Sequence, residues 1–165
     1  MTKITTVGID KDTGKDFGIG VVVAVAFLVL GALFGIIGAI GIPLVPASIA
    51  GDIGRWIIIV IVASIFETVF FFEFVLDFFD NKLKNLGFEV PFIVASILTA
   101  CGFALFHFIA YSGSLSAAGG SFISAGVIAF GWCYLRKGTK SLLPVMVSHA
   151  ILNAWILSKL LIVIG

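Results

Sequence analysis

Charge is what this sequence is short of. Only 12% of its 165 residues are charged against 61% hydrophobic, and ten bases against nine acids leave a formal net charge of +1. A chain so poor in ions excludes a water-soluble domain of this size. Its near-neutral balance gives no electrostatic footprint for nucleic acid. Cysteine is scarcer still, with two in the chain. Cys101 and Cys133 share no CxxC spacing and no metal-like cluster, so both are read as buried small apolar residues, and no redox compartment follows from them. HExxH is absent, which removes the commonest zinc-protease signature. There is no internal repeat, and no low-complexity tract beyond the phenylalanines of one apolar run.

What the chain has instead is long apolar runs separated by short polar turns, with a mean hydropathy of +1.24. Its length accommodates one domain of about five spans at roughly 20 residues each. The fold expected is all-α: a polytopic membrane helix bundle of about five transmembrane helices in the lipid bilayer. A polar N-terminal tail, 1–16, carries three lysines and three aspartates. A single transmembrane helical domain, 17–165, follows, with spans at about 17–42, 54–79, 90–111, 120–135 and 141–163. The first run is too long and too uniformly apolar for the core of a cleaved leader, although PASIA after it resembles a cleavage site. Within it Gly31 and Gly35 make a GxxxG pair, with Gly38 one turn on, permitting close helix approach.

Punctuation supports these bounds. Pro43, Pro46 and Gly51 form a linker; Asp80, Asn81, Lys82, Lys84, Asn85 and Gly87 form a polar turn. Pro91 and Pro144 each fall in a first helical turn, where the missing N–H is not needed. Ser112–Gly120, small and uncharged, reads as a tight turn or a re-entrant loop. Lys and Arg gather in the tail, after the second run and after the fourth, while the opposite side has Arg55 and, near the end of the fifth run, Lys159, which can snorkel. The positive-inside rule then sets the N-terminus inside and the C-terminus outside.

Against this background the polar residues inside the runs are expensive. Glu67, in IFETVFFFEFVLDFFD, falls near the middle of the second run. An ionisable group there costs on the order of 3 kcal/mol on insertion scales, so it requires partners or water. His107 stands four residues after Phe103, on the same helix face. His149 and Asn153 are likewise four apart. These four groups on three runs are most simply explained as one shared polar site, although the predicted topology sets His107 nearer the outer end than Glu67. Glu73 and Asp77 fall on a different face from Glu67 and are expected to pair with Lys82 or Lys84. Trp56, Trp132 and Trp155 are accounted for by interfacial belts and helix packing.

A carboxylate beside an imidazole can activate water, and an imidazole with an asparagine amide can donate to a developing oxyanion. That is sufficient to hydrolyse an amide within the bilayer without a cofactor. Two histidines and a glutamate are also acceptable zinc ligands, and spacing alone does not choose between the two. Movement of an ion or proton along Glu67, Glu73 and Asp77 is a weaker reading, since such transporters usually show repeats.

The motifs resemble those of the CPBP intramembrane endopeptidases, the family of CAAX prenyl proteases and of bacteriocin-processing and self-immunity proteins. FxxxH is matched by Phe103 and His107, and HxxxN by His149 and Asn153. Between them, SAGVIAFGWCYLRKGTKSLLPVMVSHAILNAW is similar to the family's small-residue run, aromatic pair and basic turn. The resemblance covers roughly residues 60–155. It implies Glu67 as general base, His107 as the residue orienting water, and His149 with Asn153 as oxyanion donors, acting on a peptide or membrane-protein substrate. The first motif, EExxxR, departs: Thr68 replaces the second glutamate, Phe72 the arginine, and Glu73 the usual glycine. The alternative to an active peptidase is therefore a non-catalytic scaffold or accessory subunit of a larger membrane complex.

Overall fold

The computed structural model describes residues 12–33, 57–111 and 115–164. Every regular element among the described residues is helical, and there are five. Helix α1 spans Thr13–Leu33. Helix α2 runs without a break over 57–85, with π-helical turns at Ile58–Ala63, Phe70–Val75 and Phe78–Lys82 flanking the α-helical stretch Ser64–Val69. Helices α3, α4 and α5 span Phe92–Tyr111, Leu115–Thr139 and Leu143–Ile164. The tail before residue 12, Gly35, Gly38, the linker with Pro43, Pro46 and Gly51, Arg55, Trp56 and residues 112–114 lie outside the described residues. So do the side-chain surroundings of Gly31 and Lys159.

Helix boundaries follow local chemistry. At the end of α2, Gly87 adopts φ +87°, which glycine tolerates without a Cβ penalty. The N–H groups of Gly87 and Phe88 return to the carbonyls of Lys84 and Leu83, at 3.0 and 2.9 Å, closing the helix as a Schellman motif. Pro91 lies just before α3, and its carbonyl accepts from Val94 and Ala95. Helix α4 begins at Leu115, so the turn expected over Ser112–Gly120 is shorter than the sequence suggested. Serine and alanine there are competent helix formers, and the two glycines cost only about 1 kcal/mol each.

Helix α1 packs along α5, α3 packs along α4, and α2 lies against α5 with contacts to α3 and α4. Close approach of α1 to α5 depends on Gly20, where an added Cβ would stand 2.7 Å from the Pro144 carbonyl oxygen. Phe27 reaches from α1 over Gly131 and meets Trp132 edge-on. The core is aromatic: Phe71, Phe72, Phe103 and Trp132 are buried together with Ala129, Cys133 and Val145.

The exterior is rich in large apolar side chains. On α2, Val60, Ser64, Glu67, Thr68, Phe71 and Phe72 are buried at helical spacing, while Ile61, Ile65, Phe66, Phe70 and Phe74 are exposed. Ser64, Glu67 and Thr68 thus face inward together with Phe71 and Phe72, while the opposite face of α2 presents apolar side chains outward. Among the described residues two helices, α1 and α3, are long and apolar enough to cross a membrane by length and composition. In the α1 window only 11% of residues are buried within the fold. Cys133 is buried, but Cys101 is exposed on α3, contrary to the expectation for both cysteines.

Candidate functional site

Helices α2, α3 and α5 each direct one ionisable side chain to a common point. Glu67 Oε2 lies 3.6 Å from His107 Nε2 and 3.5 Å from His149 Nε2. Glu67 and His149 are buried. The offset in depth anticipated for His107 is absent, because α3 brings its ring level with Glu67. At these separations Oε2 has no hydrogen-bond donor among the described residues, although it is buried. Leaving such an oxygen unpaired costs roughly 1–3 kcal/mol or more, so it is a place that recruits a hydrogen from whatever enters.

Each histidine is held on its far side. His107 Nδ1 lies 3.0 Å from the Phe103 carbonyl oxygen one turn back on α3. The Phe103 ring lies tilted against the imidazole, with centroids 4.2 Å apart, so the FxxxH spacing both orients and covers the ring. His149 Nδ1 lies 3.2 Å from Thr68 Oγ1, and Trp132 covers its face at 4.6 Å. Trp132 is itself fixed by donating Nε1–H to Ser148 Oγ at 3.0 Å, and it meets Phe72 edge-on. Phe72, at the position of the missing arginine, packs against Trp132 and Phe103, the rings that meet the two imidazoles, and does not separate the histidines from Glu67.

Asn153 is placed differently from the other three. It lies one turn along α5 from His149, but its Nδ2 donates to Ser64 Oγ at 2.9 Å, and Ser64 in turn donates to the Val60 carbonyl. Ser64 lies three residues before Glu67 on the same buried face, so this bond ties α5 to α2 beside the carboxylate. The structure therefore brings Glu67, His107 and His149 together and sets Asn153 at their border.

Sequence reasoning assigned no partner role to Ser64, Thr68 or Ser148. The spacing Ser64, Glu67, Thr68 was the available signal for the first two. It also mispaired the acids further along α2. Glu73 binds Arg136 of α4 at 2.6 Å, Asp77 accepts from Asn81 at 2.7 Å, and Lys84 pairs with Asp80 at 3.4 Å. Glu73 does face away from Glu67, as the spacing implied, but its partner is on α4 and not in the turn after α2.

Glu73, Asp77, Asp80 and Arg136 line a cavity of about 340 Å³, together with Phe72, Lys137 and Lys140; neither histidine is in its wall. No group of three His, Cys, Asp or Glu disposed to hold a metal ion is found among the described residues.

No curated protein and no solved structure matches the chain. The family model described as type II CAAX prenyl endopeptidase Rce1-like matches residues 49–155, which contain Glu67, His107, His149 and Asn153. That match covers more than half of the chain, which accordingly belongs to the Rce1-like family of type II CAAX prenyl endopeptidases.

Proposed function

We propose that the protein is an intramembrane endopeptidase that uses a glutamate-activated water. The observation that carries this reading is the meeting of one carboxylate oxygen, Glu67 Oε2, with two imidazole Nε2 atoms from two other helices. In the reaction, Glu67 takes a proton from water as the water oxygen adds to the peptide carbonyl carbon. His107 orients that water. His149 and the remaining amide hydrogen of Asn153 donate to the oxyanion. Collapse of the tetrahedral intermediate breaks the C–N bond, and Glu67 returns its proton to the leaving nitrogen, giving a carboxylic acid and an amine.

The apolar exterior supports placing the bundle in a bilayer, with its five helices as spans, the N-terminus inside and the C-terminus outside. The family description supports a CAAX-type prenylated peptide as the first substrate to try. A second reading, a non-catalytic scaffold or accessory subunit, draws on Thr68 and Phe72 in the first motif. One experiment separates the two. The purified protein in lipid nanodiscs is incubated with a farnesylated CAAX-type peptide, and with peptides derived from membrane proteins, and products are identified by mass. Cleavage by the wild type that falls roughly a hundred-fold or more in Glu67→Gln, with folding intact, is the result expected. No cleavage of any peptide, or equal cleavage by the variant, overturns the peptidase reading in favour of the scaffold.

A further inference from the structure

We infer that Thr68 is a positioning residue that fixes the tautomer of His149, so that the two histidines present opposite hydrogen-bonding faces to Glu67. The catalytic meaning of this assignment rests on the peptidase reading, whereas the tautomer itself does not.

The argument begins with His107. Its Nδ1 faces a backbone carbonyl, that of Phe103, at 3.0 Å. A carbonyl oxygen only accepts, so Nδ1 carries the hydrogen. In the neutral ring Nε2 then offers a lone pair toward Glu67. His149 is different because its Nδ1 faces a hydroxyl, which can donate or accept. Two considerations choose the direction. Thr68 is fully buried, and among the described residues its hydroxyl has no other partner. If it accepted from His149, its own hydrogen would remain unpaired in the core, which is unfavourable. Moreover, His149 Nε2 would then point a second lone pair at the Glu67 carboxylate, already faced by that of His107. With Thr68 donating to Nδ1, both difficulties vanish, and His149 Nε2–H points toward Glu67 Oε2 at 3.5 Å.

The outcome is an asymmetric site. His107 supplies an acceptor for a water hydrogen, and His149 supplies a donor for an oxyanion. A glutamate in place of Thr68, ionised, would accept from Nδ1–H and impose the reverse tautomer on a neutral His149. Threonine at this position is thus a functional choice and not only a smaller side chain.

The test uses the whole protein in nanodiscs with ¹⁵N-labelled histidine; the chain has two histidines, so the ring-nitrogen spectrum is simple to assign. The wild type is expected to show one ring with a protonated Nδ1 and the other, absent from His149→Ala, with a protonated Nε2. Thr68→Ser retains that pattern. Thr68→Val, isosteric but without the hydroxyl, moves His149 toward a mixture of tautomers. A wild-type spectrum with Nδ1 protonated in both rings overturns the inference, as does an unchanged His149 signal in Thr68→Val. If Thr68→Val does not fold, the wild-type and Thr68→Ser spectra decide alone. In the peptide assay Thr68→Val is expected to lose roughly ten-fold in kcat with KM unchanged, and Thr68→Ser to recover it. Failure of the wild type to cleave removes the peptidase reading while the spectra still judge the tautomer.

Discussion

Arg136 donates to a single oxygen of Glu73, through Nη2 at 2.6 Å and Nε at 3.2 Å, tying the last turns of α4 to the middle of α2. Both side chains are partly exposed, Glu73 at 43% and Arg136 at 23%, so the pair is partly screened and its worth is modest. A thermal-unfolding cycle of Arg136→Ala, Glu73→Ala and the double variant is expected to give a coupling of about 1 kcal/mol. Zero coupling would reduce the contact to a surface coincidence.

Gly20 and Gly18 lie on the same helix and make opposite predictions. A Cβ at Gly20 would come within 2.8 Å of Val147 Cβ as well as 2.7 Å of the Pro144 oxygen, whereas nothing lies within 4 Å of one at Gly18. Gly20→Val is expected to separate α1 from α5 and to lower stability by about 1–3 kcal/mol. Gly18→Ala is expected to be neutral or stabilising by up to about 1 kcal/mol, through helix propensity. Thermal midpoints of the two variants measured in one detergent check this, and equal midpoints would mean that α1 is not docked through Gly20.

Trp132 links packing to the site. Its indole covers His149 and meets Phe27, Phe72 and Phe103, while Nε1 donates to Ser148. Trp132→Phe keeps an aromatic body but leaves the buried Ser148 hydroxyl without its donor, an expected loss of about 1–2 kcal/mol. Trp132→Ala adds a cavity under an imidazole and is expected to cost about 3–5 kcal/mol. Denaturation of the two variants should preserve that order; a milder effect for alanine would show that the aromatic core collapses freely.

Much of the site was legible because strongly apolar helices make polar residues conspicuous. Glu67, His107 and His149 stand out where apolar side chains are the rule, and the four-residue spacings placed each histidine with its neighbour on one face. The helix start after Pro91 was equally readable, since it depends on local backbone chemistry, whereas the polar turn expected from Asp80 is helical as far as Asn85, and only Leu86 and Gly87 turn. Partners across helices were not. The Glu73–Arg136 pair joins residues 63 positions apart, and nothing local indicates that α4 passes beside Glu73. The Thr68–His149 bond escaped for a related reason: a threonine within a helix can bond its own backbone, and nothing local says that it reaches another helix. Trp132 read as a packing residue, and it is one, yet its bond to Ser148 required knowing that α5 passes beside it.

The choice between a carboxylate–imidazole site and a zinc site turns on one nitrogen. Zinc held by Glu67, His107 and His149 requires a lone pair from both Nε2 atoms. His107 presents one, because its Nδ1–H is committed to the Phe103 carbonyl. His149, with Thr68 donating to Nδ1, presents a hydrogen instead. The two chemistries therefore make opposite demands on His149. Peptide cleavage is expected to survive dialysis against a strong chelator without loss, and added zinc is expected not to raise the rate. Loss of cleavage on chelation, with recovery on adding zinc, would make all three side chains ligands. It would also require His149 Nδ1 to donate to Thr68, so the histidine spectrum of the metal-loaded protein would have to show the reversed tautomer.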